Sequence, residues 1–196
     1  MPIFSGLSAF PITPASPAGE VDATSMRKLL SRLVAAGVDS IGVLGSTGSY
    51  AYLSREQRRR ALEVAVDEVA GRIPLIAGVG ALRTDEAVKL ARDAKAIGAK
   101  AGLLSAMSYL PLSQNEVFAH FTAVADQSGL PLVIYDNPGT THFSFSTELI
   151  VRLSRHPGIV AVKYPTSSRD AIPPHLRDQR TAVGESFSPV SYTHLR

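Results

Sequence analysis

The stretch AGLLSAMSYLPLSQNEVFAHFTAVADQSGLPLVIY, residues 101–135, predicts a complete strand–helix–strand unit. It opens and closes on the short apolar runs 101–104 and 132–135, which are typical of strands buried on both faces. Between these runs, Ser113 and Glu116 have the spacing of a capping box, which marks the N-terminus of an amphipathic helix. Two such strands joined by a helix are expected to lie parallel in one sheet, with a right-handed crossover.

The same unit is repeated along most of the chain. Further apolar runs occur at 7–10, 41–44, 75–79 and 159–163, and stretches with helical periodicity separate them. Repeated strand–helix units build either a closed (β/α)8 barrel or an open doubly wound sheet. The glycine fingerprint G-x-G-x-x-G that follows the first strand of a dinucleotide-binding sheet is missing from residues 8–19. The sequence therefore favours an α/β fold of the (β/α)8 TIM-barrel type.

The predicted barrel is incomplete. The chain of 196 residues supplies six clear strands and a seventh within 180–187, whereas a (β/α)8 barrel usually needs about 250 residues. We therefore divide it into an incomplete barrel domain, 1–187, and a tail, 188–196, whose sequence has neither helical period nor a convincing strand pattern. Our hypothesis is that the chain is a truncated gene product and that the tail lies outside the native fold. The open strand edges of such a fragment predict low stability or aggregation.

Composition and charge exclude several classes of protein. The chain is 45% hydrophobic and 19% charged, as soluble globular domains are, and it has no Cys, which excludes disulfides and thiol catalysis. Its five His form no His-x-x-x-His pair, and no apolar stretch approaches the roughly 18 residues of a membrane span. The densest basic stretch, 54–63, is interpreted as the start of a helix with its arginines in water. These features predict a cytoplasmic domain without a metal site and without nucleic-acid or membrane partners.

A glycine-rich loop follows the second predicted strand, at the end where a TIM barrel carries its active site. In this GSTG segment, Gly45 and Gly48 let backbone N–H groups approach an anion, and Ser46 and Thr47 add two hydroxyl donors. Such a segment is also a common plain turn. The segment lacks the Lys and the following Ser or Thr of a P-loop, which disfavours an unrelated phosphate-binding protein.

Three further reactive side chains stand at the ends of later strands. Tyr109 follows the fourth strand, Tyr135 ends the fifth, and Lys163 ends the sixth, in the run IVAVKYP at 159–165. A lysine that leaves a buried strand can be partly desolvated, so that it loses its proton more readily and becomes a nucleophile. Each residue alone has a plain structural explanation. Together, an amine, two phenols and a carboxylate cradle suit imine chemistry on a ketone.

These motifs make the chain resemble the dihydrodipicolinate synthase and N-acetylneuraminate lyase family of pyruvate-dependent class I aldolases. The resemblance runs from residue 4 to residue 187. Members of that family carry a G-x-x-G loop with two hydroxyl residues, a tyrosine before a P-S-Q-like segment, a strand ending in Y-[ND]-x-P, and a lysine at the end of the next strand. The matching stretches in this chain are GSTGS at 45–49, Tyr109 before LPLSQNE, YDNP at 135–138 and Lys163.

The resemblance implies a catalytic role for four of these residues. Lys163 would form the Schiff base with the keto carbon of pyruvate, and Tyr135 would relay protons to and from that centre. Thr47 would link Tyr135 to Tyr109, which family tetramers typically lend across a subunit interface. The resulting enamine would attack an aldehyde, or the reverse reaction would cleave a carbon–carbon bond.

Substrate binding and assembly are implied in the same way. Ser46 and Thr47, with the backbone amides of the loop that Gly45 and Gly48 enclose, would hold the pyruvate carboxylate. The family needs no metal and no diffusible cofactor, because the lysine itself acts as the electron sink. Its partners are small-molecule substrates, and the full-length protein would be a homo-oligomer, either a tetramer or a dimer.

Two departures from the family pattern leave the second substrate open. Dihydrodipicolinate synthases carry an arginine five residues after the strand-end tyrosine, to grip the carboxylate of aspartate semialdehyde, and Thr140 stands there in this chain. Thr140 is assigned to substrate binding, but an uncharged hydroxyl cannot replace a bidentate guanidinium. Ser49 replaces the Glu that many members have after the loop. The predicted function is a pyruvate lyase or aldolase; the alternatives are a hydratase-aldolase or dehydratase of the same family, and a catalytically inactive fragment.

Overall fold

Parallel strands and helices alternate along the chain in the computed structural model, which describes residues 6–165, 183 and 187–192. The strands are β1 (Ser8–Ala9), β2 (Ser40–Val43), β3 (Leu75–Gly78), β4 (Ala101–Ser105), β5 (Leu132–Tyr135), β6 (Ile159–Pro165) and β7 (Ser188–Tyr192). The helices are α1 (Ala23–Ala35), α2 (Arg55–Val69), α3 (Thr84–Ile97), α4 (Gln114–Ser128), α5 (Pro138–Thr141) and α6 (Thr147–Ser154), with a 3-10 turn at Tyr50–Tyr52.

Strand order identifies the architecture. The sheet runs β1-β2-β3-β4-β5-β6-β7, and every neighbouring pair is parallel. A doubly wound sheet reverses its strand order at a switch point, whereas a TIM barrel adds each strand beside the preceding one. The prediction of an incomplete TIM barrel is therefore confirmed.

The core forms two layers, one on each face of the sheet. Every residue of β2, β3, β4 and β5 is buried, which explains why these strands read as continuous apolar runs. The larger cluster lies between the sheet and the helices, and the smaller one fills the concave, barrel-interior face. The interior cluster consists of Ile76, Ala101, Leu103, Val133, Tyr135 and Ala161, with Phe10 and Val160 packed against it.

Helix α4 begins and ends where its sequence signals predict. The Ser113 hydroxyl accepts from the backbone N–H of Glu116, and the Glu116 carboxylate accepts from the backbone N–H of Ser113, so the capping box is complete. Gly129 ends the helix in a left-handed conformation with φ 58°, which glycine adopts without strain. The helix therefore returns the chain directly to β5.

The seventh strand differs in position from its sequence prediction. Of the predicted segment 180–187, only 183 and 187 lie within the described residues, and the strand that pairs with β6 is Ser188–Tyr192. The interpretation of 188–196 as lacking a convincing strand is thus wrong for its first five residues. Two serines and Pro189 break the apolar run that marks the other strands, and an edge position tolerates such a proline. That the tail lies outside the native fold stays a hypothesis.

No helix in the described part of the chain combines the length and the hydropathy that a membrane span requires. Across those same residues, no three His, Asp or Glu side chains come together in an arrangement that could hold a metal ion.

Candidate active site

Lys163 and Tyr135 lie side by side near the carboxyl ends of neighbouring strands. They are paired directly in the register of β5 and β6. Because side chains alternate between the two faces of a strand, paired residues project to the same face, which here is the barrel interior. Tyr135 is buried, and Lys163 is 8% exposed. Strand pairing thus brings together two of the residues that were predicted to be catalytic.

The Lys163 amine is held in an apolar environment. Its Nζ lies 3.6 Å from the centroid of the Phe10 ring and 5.1 Å from that of the Tyr135 ring. Burial penalises the ammonium form and lowers the pKa of Lys163 from 10.5 to about 8. At pH 7 about one molecule in ten then carries a neutral amine, far more than for a lysine in water. The structure places Lys163 in the desolvated position that its strand context predicts, while its catalytic role stays a prediction.

Two side chains donate hydrogen bonds to the Tyr135 hydroxyl. Ser46 Oγ donates over 3.2 Å, and Asn137 Nδ2 donates over 2.7 Å. The same amide nitrogen also donates to Thr140 Oγ1 over 3.0 Å, so Asn137 joins Thr140 to Tyr135. Sequence reasoning missed Asn137, which occupies the variable position of the Y-[ND]-x-P motif. Its position in the sequence could have indicated this contact, because it lies two residues beyond a strand-end tyrosine and therefore on the same side of an extended chain.

The glycine-rich loop contacts Tyr135 through the Ser46 hydroxyl, which lies 3.2 Å from the Tyr135 hydroxyl. Thr47 is exposed, as Ser46 is, and the predicted link from Tyr135 through Thr47 stays a prediction. Leu44 enters the loop in the left-handed conformation with φ 58°, which interrupts the alternation of side chains after β2. Gly48, at the end of the loop, has little room for a side chain, since a Cβ there would lie 3.0 Å from Thr13 Oγ1.

Tyr109 lies outside the cluster around Lys163. Its side chain is 93% exposed, so its ring does not pack into the site of this chain. The predicted contribution of Tyr109 across a subunit interface requires a second copy and stays a prediction.

The buried side chain of an arginine binds backbone carbonyls near the glycine-rich loop. Arg58, predicted to lie in water, is only 8% exposed; its Nε donates to the Tyr50 carbonyl and its Nη2 to the Gly80 carbonyl, each over 3.0 Å. The Tyr50 hydroxyl in turn bonds to Ser105 Oγ over 2.9 Å. These bonds link the segments that follow β2 and β3 to the last residue of β4. The sequence could have indicated this burial, because Arg58 lies four residues before Leu62 and therefore on the apolar face of α2.

Asp136 is a buried carboxyl next to Tyr135. Its Oδ1 accepts no hydrogen bond from the described residues. Burial raises its pKa from 3.8 to about 6, and the backbone N–H of Phe145 partly offsets that rise. Alternation along the strand turns Asp136 away from the barrel interior, so this charge is separated from Lys163.

A family model described as the dihydrodipicolinate synthetase family matches residues 3–182. The chain belongs to this family. The resemblance drawn from the motifs is thereby confirmed.

Two solved structures and one curated protein illustrate the similarity. A crystal structure of dihydrodipicolinate synthase from Agrobacterium tumefaciens has 53% sequence identity and a TM-score of 0.92, covering 96% of this chain and 64% of that chain. The chloride-inhibited dihydrodipicolinate synthase from Acinetobacter baumannii, complexed with pyruvate, has 32% identity and a TM-score of 0.87, covering 95% and 62%. The 4-hydroxy-tetrahydrodipicolinate synthase of Phenylobacterium zucineum is 37% identical over 166 residues, or 85% of this chain and 56% of that protein. The chain spans less than two thirds of the length of each of these relatives.

Proposed function

We propose that this chain carries the Schiff-base site of a class I lyase or aldolase that acts on pyruvate or a close 2-keto acid. The observation that supports this most strongly is a buried amine with a pKa of about 8, Lys163, paired in register with a hydrogen-bonded phenol, Tyr135. A neutral amine is the form that attacks a ketone, and a neighbouring phenol can supply and remove protons.

In the first step, the neutral Lys163 amine adds to the C2 carbonyl of pyruvate. The carbonyl oxygen takes up two protons, one of which comes from the nitrogen, and leaves as water; the nitrogen keeps its other proton, so that a protonated imine forms. Tyr135 relays these protons, with its hydroxyl oriented by Ser46 and Asn137. The hydroxyls of Ser46 and Thr47 and the backbone amides of the 45–48 loop hold the substrate carboxylate.

In the second step, a proton leaves the C3 methyl group of the protonated imine, and the C–H electrons move toward the nitrogen to give an enamine. The enamine carbon then attacks an aldehyde carbon, whose oxygen takes up a proton. Hydrolysis of the new imine releases the product and returns the free amine. Run in reverse, the same steps cleave a 2-keto acid between the carbons that the forward reaction joins.

Thr140, the residue assigned to the acceptor end of the site, is uncharged. Thr140 stands at the position where dihydrodipicolinate synthases carry arginine, and its hydroxyl accepts a hydrogen bond from Asn137. A neutral hydroxyl does not select a carboxylate as a guanidinium does. This favours an acceptor other than aspartate semialdehyde: a sugar-derived aldehyde, an aromatic aldehyde or the substrate of a hydratase-aldolase or dehydratase.

We propose in addition that the full-length protein is a homo-oligomer. The 93% exposed Tyr109 and its 69% exposed neighbour Leu110 support a covered position for this loop in an assembly. A cytoplasmic location stays an expectation from the sequence.

Enamine formation can be tested without knowing the acceptor. In D2O, the folded chain is expected to accelerate exchange of the pyruvate methyl protons for deuterium, which ¹H NMR follows as loss of the methyl signal. Lys163→Met keeps an unbranched side chain but lacks the amine, and its exchange should fall to the buffer rate. A folded parent chain that exchanges no faster than buffer would support the alternative of an inactive fragment.

A further inference from the structure

Phe10 follows β1 and is fixed against the neighbouring strand. A Cβ added to Gly42, inside β2, would lie only 2.1 Å from the Phe10 ring. A glycine inside a strand weakens it unless another group needs the space, and here the Phe10 ring fills that space. The ring also packs against the interior cluster that contains Tyr135. Its position is therefore set by two strands.

The fixed ring face lies under the Lys163 amine. Nζ is 3.6 Å from the ring centroid, well within the range of a cation–π interaction. Such an interaction favours the ammonium form, whereas burial favours the neutral amine. Phe10 therefore affects the proton affinity of Lys163 in two opposite ways: it excludes water, and it offers the negative face of its ring.

Two titratable residues, Tyr135 and Asp136, are among the described residues close to Lys163. Tyr135 on β5 faces Nζ, with its ring centroid 5.1 Å away. Asp136 directly follows β5, and its backbone N–H donates to the Lys163 carbonyl over 3.0 Å; the alternation of side chains places its carboxyl on the opposite face. In β7, Val190 is the residue paired in register with Lys163.

We propose that Phe10 is a positioning residue whose ring face holds the Lys163 ammonium in the resting site and so sets the pH at which this amine becomes a nucleophile. The inference deepens the proposed function and rests on it for its catalytic meaning. The direct test is a titration of Lys163 itself, which needs no substrate.

The experiment is an NMR titration of the chain carrying ¹³Cε-labelled lysine. The chain has five lysines, Lys28, Lys89, Lys95, Lys100 and Lys163, and the signal of the last is assigned by its loss in Lys163→Arg. Phe10→Leu removes the ring face and keeps an apolar side chain. We expect the Lys163 midpoint to move to lower pH, which corresponds to roughly 2- to 30-fold weaker proton binding.

A matched control removes a ring from another cation–π pair. Phe118 on α4 lies 4.3 Å from the Arg152 guanidinium, and Phe118→Leu should leave the Lys163 midpoint unchanged. Phe10→Tyr retains a ring face and should retain the parent midpoint, and Phe10→Met provides a second apolar variant if Phe10→Leu does not fold.

The direction in which the Lys163 titration midpoint moves tests the proposal. A Phe10 that only excluded water would let water reach the amine when it is removed, and the midpoint would then rise. A rise or no change in folded Phe10→Leu or Phe10→Met overturns the proposal. A fall in the midpoint together with no pyruvate exchange in the parent chain would leave Phe10 in its assigned role and reject the proposed function alone.

Discussion

Replacing Tyr135 by Phe is expected to lower the rate of pyruvate methyl exchange by about 10²- to 10⁴-fold, the usual contribution of a positioned acid–base group. The substitution removes the hydroxyl that Ser46 and Asn137 hold, yet it keeps the ring that lies 5.1 Å from Lys163 Nζ. Burial of the amine should therefore persist, and the loss should fall on proton transfer.

A matched control for Tyr135→Phe is the same substitution at a tyrosine outside the site. Tyr52 is 88% exposed, and Tyr52→Phe should exchange pyruvate protons at the parent rate. Both variants are measured by ¹H NMR in D2O at one pH, with melting temperature as the check of folding. If folded Tyr135→Phe kept more than about a tenth of the parent rate, the phenol would not be the proton relay.

Asp136→Asn is expected to stabilise the chain at neutral pH. The pKa of Asp136 lies near 6 in the fold, above its ordinary 3.8, so the folded state favours the protonated carboxyl. Its contribution to stability is complete below pH about 4 and is lost as the pH rises through about 6. At pH 7.5 the loss amounts to about 3 kcal/mol, and a neutral amide of the same shape avoids it.

Urea unfolding at pH 4 and at pH 7.5 measures this difference. The variant should exceed the parent in free energy of unfolding by up to about 3 kcal/mol at pH 7.5, and by little at pH 4. Asp126→Asn is the matched control, because this carboxylate is 69% exposed and pairs only with His156 among the described residues. It should change stability by less than about 1 kcal/mol at either pH. Equal gains at both pH values for Asp136→Asn would show that charge burial is not the cause.

The barrel could be predicted because its signals are local and repeated. Strands such as β4 and β5 are buried on both faces and therefore carry unbroken apolar runs, and the capping box at Ser113 fixes the helix between them. The strand β7 lacked such a run, since serines and Pro189 interrupt it. The sequence pattern therefore failed where the strand lies at the edge of the described sheet.

The site was harder to predict than the fold, because its geometry depends on contacts between distant segments. Lys163 and Tyr135 could be found from their strand ends, and strand register joins them. The contact of Ser46 with Tyr135 follows a left-handed turn at Leu44, which residue type does not reveal. The position of Phe10 under the amine depends on a glycine 32 residues later, at Gly42. No periodicity encodes such a contact.

Trapping with borohydride tests most directly whether Lys163 condenses with a 2-keto acid. The folded chain is incubated with pyruvate, reduced and digested, and its peptides are mapped by mass spectrometry. We expect a single adduct, with the mass of pyruvate less one water plus two hydrogens, on the peptide that contains Lys163, and none in Lys163→Ala. An adduct spread over exposed lysines such as Lys28 and Lys89, or no adduct on the folded chain, would contradict the assignment of Lys163 as the imine-forming residue.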